Sequence, residues 1–293
     1  MNKRTLFGWF LTMVFGLALA SCADAPQPLK LEVYNPGANG MFQVSSELIS
    51  GSNDAILIDA QFERANAAQL VKKIQDSGKK LTTIYISHGD PDYYFGLEVL
   101  KEAYPDVKIL APAPVVAHIR ATMDAKLAFW GPELGAEAPR RLIVPEPLQG
   151  NALTLEGRKL EVIGLDGASP NRTFVWIPSL KAVVGGVLVE GNQHVWIADS
   201  QTYEARQQWL KMLDKIEALQ PTVVVPGHFR AGAPQNLESL RFTRNYLKTY
   251  ELESARTKDS EALIAAMKKH YPNLDGESSL EVSAKVTKGE MEW

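Results

Sequence analysis

The sequence predicts an α/β fold, a four-layer αβ/βα sandwich in which two mixed β-sheets face each other and helices flank both outer sides. Three observations carry this expectation. Strand-like and helix-like periods alternate up to about residue 130, and a second series of strands then helices follows, without an internal repeat. The chain has 293 residues, of which 45% are hydrophobic and 22% charged, enough for a large buried core. No Gly-x-Gly-x-x-Gly opens a helix after the first strand, so a doubly wound dinucleotide-binding sheet lacks support.

The elements follow from local pattern. Residues 29–34, 41–49 and 55–59 read as strands separated by Asn35-Pro36-Gly37 and Gly51-Ser52-Asn53 turns. Over 63–77, Ala67, Leu70, Val71 and Ile74 share one helical face, and Gly78 can close the helix. Leu81–Ser87 is an apolar strand, 94–103 a short helix, 108–111 a strand and 114–130 a longer helix. Strands are next expected at 152–155, 159–165, 172–177 and 182–189. A helix at 203–219, a strand at 222–225 and helical segments over 235–270 follow, and 271–293 reads as a polar C-terminal tail. The folded domain is therefore expected over 29–270, with the Lys- and Glu-rich stretch 251–290 showing solvated faces.

Composition excludes several classes. A formal charge of −3 gives no global basic field, so nucleic acid is not an expected partner. The single cysteine cannot close an internal disulfide or build a multi-cysteine zinc site. Its position is informative. Lys3 and Arg4 precede an apolar run from Leu6 to Ala20, too short for an ordinary membrane span. The run ends in Leu19-Ala20-Ser21-Cys22, which resembles the lipobox of bacterial lipoproteins. The resemblance implies cleavage after residue 21, acylation of Cys22 and a short tether over 22–28. Ala23 after the cysteine implies outer-membrane sorting, with the protein facing the periplasm. Losing Lys3 and Arg4 takes the formal charge from −3 to −5, so lipid rather than a basic patch would hold the body to a membrane.

The chemistry concentrates in Ser87-His88-Gly89-Asp90-Pro91-Asp92-Tyr93-Tyr94-Phe95-Gly96, between an apolar strand and a helix. His88, Asp90 and Asp92 alternate, so such a loop can aim all three at one point, and each can bind a divalent ion. The same residues also suit a polar turn in which Asp92 caps the next helix.

This loop resembles the His-x-His-x-Asp-His motif of metallo-β-lactamase-fold hydrolases. Ile56-Leu57-Ile58-Asp59 resembles that family's buried strand-end Asp, and Pro226-Gly227-His228 its last histidine. Leu165-Asp166-Gly167 stands where the family usually places Gly-His, and Val184-Gly185-Gly186-Val187 where it places Gly-Asp. The departures are chemical. His88, Asp92 and His228 are retained, whereas Asp90, Tyr93, Asp166 and Val187 stand in place of metal ligands. The resemblance implies one ion at His88, Asp90 and Asp166, with Asp92 and His228 nearby, or no ion at all. Oxygen-rich ligation would move the preference from zinc towards Mn²⁺ or Fe²⁺. Without metal, crowded carboxylates and histidines support acid–base work through Asp92, and Tyr93 can donate to an oxyanion.

Asp59 is expected to anchor the site loop by hydrogen bonds. His194 either lines the pocket or hydrogen-bonds within its own loop, and Tyr94 and Trp196 are candidates for an aromatic wall. The function the resemblance implies is hydrolysis of a small ester, lactone or amide. The alternative is a non-catalytic member whose eroded metal site binds a ligand or partner.

Overall fold

The computed structural model describes residues 27–293, so the leader, Cys22 and most of the tether lie outside the described residues. The first sheet begins with an antiparallel meander, β1 (Lys30–Tyr34), β2 (Ser46–Ser50) and β3 (Asp54–Ile58). Helix α1 (Arg64–Ser77) then crosses to β4 (Lys80–Tyr85), parallel to β3. Helices α2 (Pro91–Tyr94) and α3 (Leu97–Ala103) lead to β5 (Lys108–Ala111), and α4 (Ala113–Leu134) to the short β6 (Glu146–Pro147). The six strands lie in sequence order, antiparallel first and parallel afterwards. Parallel neighbours need long crossovers, which is why the helices interleave only in this second part.

The second sheet is built from β7 (Ala152–Leu155), β8 (Arg158–Ile163), β9 (Phe174–Ile177) and β10 (Ala182–Val184), all antiparallel neighbours. Later come β11 (Glu190–Gly191), α5 (Tyr203–Ala218), β12 (Val223–Val224) and β13 (His228–Phe229). β12 pairs parallel with β10, and β11 with β13. Three helices finish the chain: α6 (Leu237–Arg256), α7 (Ser260–His270) and α8 (Glu277–Thr287).

Strand alternation sorts the apolar residues into three layers. Ile56 and Ile58 of β3 meet Leu160, Val162, Val175 and Ile177 between the sheets. Their alternates, Ala55 and Leu57, face Leu70 and Ile74 of α1. On the far side, Phe174, Trp176 and Val183 pack against Trp209 and Leu213 of α5 and Leu247 of α6. A side-chain period of two sends each strand's residues to opposite faces, so both sheets are buried twice. The result is the expected four-layer sandwich.

Three expectations are corrected. The strand predicted over 41–49 begins only at Ser46, and Val44 makes a single bridge to His228. The strand predicted over 182–189 stops at Val184, because Gly185 and Gly186 adopt φ of +71° and +81°. A Cβ on Gly186 would lie 2.2 Å from the Thr173 carbonyl oxygen, so only glycine lets β9 and this turn approach. The predicted tail 271–293 contains α8, whose Leu280 and Ala284 are fully buried beside Leu263 and Met267 of α7. Leu280, Ser283, Ala284 and Val286 form its buried face, enough to dock a helix from a largely polar segment. The domain therefore extends to Thr287.

Leu280→Ala should lower unfolding free energy by about 2–5 kcal/mol, the usual cost of a cavity at a fully buried leucine. Urea denaturation measures this, and a change within ~0.5 kcal/mol would mean that α8 is not part of the core.

Candidate active site

The site forms at the end of the first sheet, where β3 and β4 stop side by side. Asp59, just past β3, is buried and has φ of +60°. Its Oδ1 accepts from the Ser87 backbone N–H at 2.7 Å, and its Oδ2 from the Ser87 hydroxyl at 2.6 Å. Ser87 Oγ in turn accepts from Gly186 N–H at 2.7 Å, which ties the end of β4 to the glycine turn after β10. Burial, and next the neighbouring Glu47 carboxylate, push the Asp59 carboxyl well above its usual range against the pull of Ser87. Gln61 also has positive φ, +71°, and its amide donates to Val44 O and Ser46 Oγ. Ala60 N–H bonds Tyr93 O, and Gly96 N–H bonds Gln61 O, so this strained segment clasps α2.

From this frame the loop presents His88, buried, and Asp90, whose side chain is 28% exposed. His88 Nδ1 stands 3.3 Å from both Asp90 Oδ2 and Asp90 N. With the proton on Nδ1 it donates to the carboxylate and leaves the Nε2 lone pair free; with the proton on Nε2 it accepts from the amide. Lys126, reaching in from α4, donates to Asp90 Oδ1 at 2.9 Å and to Gly89 O at 3.0 Å. Its ammonium also stands 3.1 Å from His118 Nε2. Desolvation raises the Asp90 carboxyl, but the His88 and Lys126 contacts together outweigh it and hold the group well below the ordinary carboxylate range.

The second cluster is a chain of hydrogen bonds. His228 Nε2 donates to Asp92 Oδ2 at 2.7 Å, and Tyr93 Oη lies 3.2 Å from His228 Nδ1. Burial would lower the His228 pKa, but the hydrogen bond and charge of Asp92, with Glu190 behind, raise it above the ordinary value. Burial and then Asp92 lift the Tyr93 hydroxyl well above 10.0, so it stays a proton donor. The Tyr93 ring packs edge-on against both histidines, 5.5 Å from the His88 centroid and 5.6 Å from that of His228.

The family model for the metallo-beta-lactamase superfamily matches residues 39–228. The chain belongs to this superfamily. Solved structures agree on the fold. A metallo-beta-lactamase family protein from Thermus thermophilus is 16% identical with a TM-score of 0.63, covering 89% of this chain and 92% of its own. A metallo-beta-lactamase from Pontibacter korlensis is 17% identical at a TM-score of 0.56, covering 75% and 95%. The DIM-1 metallo-beta-lactamase is 17% identical at 0.55, covering 77% and 99%. No curated protein matches the chain significantly by sequence.

Superfamily members typically hold divalent metal, and the donor set here does not fit that group. Among the described residues, no three His, Cys, Asp or Glu side chains are placed to share an ion. The physical reasons are visible. Lys126 puts an ammonium on the Asp90 oxygen that an ion would need. The Tyr93 ring packs against both His88 and His228. Asp166, predicted as the middle ligand, lies on the turn after β8 and is not buried, unlike His88 and Asp92. Of the expected ligands His88, Asp90, Asp92, Asp166 and His228, the structure places His88 with Asp90 and Asp92 with His228 in two hydrogen-bonded groups, and Asp166 in neither.

The aromatic wall is also revised. Tyr94 is buried with an unpartnered hydroxyl and packs edge-on against Phe95 in the helix-side core. His194 bonds Tyr246 Oη at 2.9 Å and, through its amide, Asp275 O, so it belongs to the C-terminal helices. Trp196 donates to Asp199 at 2.7 Å and stacks edge-on with Trp293. Sequence reading missed Lys126, Glu190 and Arg172. Glu190 is buried with oxygens held by Gln193 and the Trp196 amide, and its strand pairs directly with His228. None of the three sits in a motif; only the fold brings them to the loop.

Glu47, behind Asp59, gives a pH test. Both its oxygens are enclosed without a partner, and burial raises its pKa from 4.5 to about 8. The native state therefore binds more protons than the unfolded state between those values, so this stability is complete below pH 4.5 and lost as pH rises towards 8. Glu47→Gln should match wild type near pH 5 and exceed it by on the order of a few kcal/mol at pH 9. Denaturant unfolding at both pH values checks this; a difference independent of pH would contradict it.

Proposed function

We propose that this protein is a lipid-anchored hydrolase of the bacterial envelope that cleaves a small ester, lactone or amide with side chains as acid and base. Superfamily membership supports a hydrolase-type activity. The observation that carries the finer reading is the His88–Asp90–Lys126 arrangement. In the tautomer with the proton on Nδ1, directed at Asp90 Oδ2, His88 Nε2 has no partner among the described residues and can take a proton from an attacking water. The Asp90 carboxylate, kept ionised beside Lys126, steadies the imidazolium that forms. Tyr93, a donor at neutral pH, offers its hydroxyl to the developing oxyanion. The His88 imidazolium then gives that proton to the leaving group, and His228, held by Asp92, orients the Tyr93 hydroxyl.

The expected turnover on an ester, lactone and amide panel is insensitive to chelators, and His88→Ala lowers kcat/KM by at least about 10²-fold. Equal rates in wild type and variant would remove His88 from the chemistry, and loss of activity on chelation would restore a metal. One observation favours a second reading, the non-catalytic binder. Lys126 satisfies Asp90 as a structural ion pair would. Turnover of nothing on the panel, with or without added Zn²⁺ or Mn²⁺, would select that reading.

The basic start, short apolar run and Leu19-Ala20-Ser21-Cys22 support cleavage before Cys22 and its acylation. No described helix is long and apolar enough to cross a membrane. Cys22→Ser should move the protein from the membrane pellet to the soluble fraction; unchanged partitioning would end the anchoring assignment.

A further inference from the structure

Arg172 stands just before β9 and is only 7% exposed. Its guanidinium lies over the Trp209 ring, 4.6 Å from the centroid. That guanidinium makes no hydrogen bond or ion pair with any described residue, and its Nη1 is enclosed without a partner. A buried cation is costly unless paired, and attraction to an indole face offsets only a small part of that cost. The carboxylates that face it electrostatically are Asp199, Asp90 and Glu190. All three are already committed. Asp199 accepts from the Trp196 and Trp293 indoles, Asp90 from Lys126, and Glu190 from Gln193 and the Trp196 amide. The cation is left without an anion of its own.

Arg172 also lines a cavity of about 90 Å³ between the turn after β8 and helix α5, several times the room one water needs. Ser169, Gln208 and Trp209 line it further, and Lys211 and Lys215 stand one helical turn apart on its α5 side. Both lysines are exposed and have no ion pair among the described residues. The lining thus holds three cations and no carboxylate, in a chain whose formal charge is negative. Arginine suits this position because its planar fork can grip two oxygens of one group at once.

We propose that this cavity is an oxyanion-binding subsite, in which Arg172 pairs with a carboxylate or phosphate group of a small ligand and Lys211 and Lys215 draw that group in. Asp90 and Tyr93 are among the groups whose charge acts on Arg172, so the cation and the loop that carries His88 share one electrostatic environment. The inference deepens the proposed hydrolase by giving its substrate a negatively charged handle. It rests on that reading only for calling the anion part of a substrate, because binding is read without turnover.

The test is thermal unfolding and calorimetric titration of the full-length protein in detergent with inorganic phosphate, acetate or succinate, against chloride at equal ionic strength. Wild type should gain thermal stability with phosphate or with a carboxylate, and whichever acts identifies the group. Arg172→Met should abolish the effect. The doubly exposed variant Lys211→Ala/Lys215→Ala, which leaves the core untouched, should weaken binding roughly tenfold and flatten its salt dependence. If the Arg172 variant does not fold, the lysine pair alone decides. Equal anion effects in wild type and variants, or none beyond chloride in wild type, would overturn the subsite. Anion binding without hydrolysis would keep the subsite and remove the hydrolase.

Discussion

The Asp59–Ser87–Gly186 string of hydrogen bonds is the constraint on which the site depends. It joins the ends of β3 and β4 in one sheet to the turn after β10 in the other, with contacts of 2.6 and 2.7 Å. Two packed sheets are free to slide by fractions of an ångström if only apolar contacts hold them. A buried polar bridge with all its partners in place fixes one register. His88 is the next residue after Ser87, and Gly185-Gly186 must turn tightly for its amide to reach the bridge. The positive φ of Asp59 and Gln61 belongs to the same device, since the backbone must bend sharply to present both side chains inward.

Charge balance explains how the site does without a set of converging ligands. Glu47, Asp59, Asp90, Asp92 and Glu190 crowd one end of the molecule, and carboxylates so close cannot all stay ionised without cations. Glu47 and Asp59 respond by holding protons more tightly. Asp90 takes Lys126, and Asp92 takes His228. Two of these carboxylates thus have a cation or a histidine with raised pKa beside them. His88 and then Lys126 together hold Asp90 as a carboxylate, which ties the docking of α4 to the charge of the loop.

Much of the fold was legible because strand alternation needs no distant information. Ile56 and Ile58 face one way and Ala55 and Leu57 the other, and that period is written in a few consecutive residues. The loop from Ser87 to Gly96 was legible for the same reason, its chemistry lying in one short stretch of chain. Lys126 was not, because nothing near residue 126 says that α4 passes back over Asp90, 36 residues earlier. Asp166 was misplaced because a one- or two-residue difference in a Gly-rich turn decides whether a side chain faces the site or solvent. The helix α8 was missed because its buried face mixes Leu280 and Val286 with Ser283 and Ala284, too weak an apolar stripe to stand out in a polar segment.

Tyr93 shows how one substitution uses room that a glycine already leaves. A phenol reaching His228 needs room that a Cβ at residue 227 would take, for that atom would lie 2.9 Å from Tyr93 Oη and 2.1 Å from Gly186 O. Glycine at 227 thus serves both the hydroxyl and the inter-sheet turn. The ring then packs against His88 and His228 and gives the His228 imidazole a partner on Nδ1 while Asp92 holds Nε2. With both nitrogens engaged, His228 has no lone pair left to act on a water. The difference between the two histidines, His228 held at both nitrogens and His88 at one, therefore follows from placing a phenol where the superfamily motif has an imidazole.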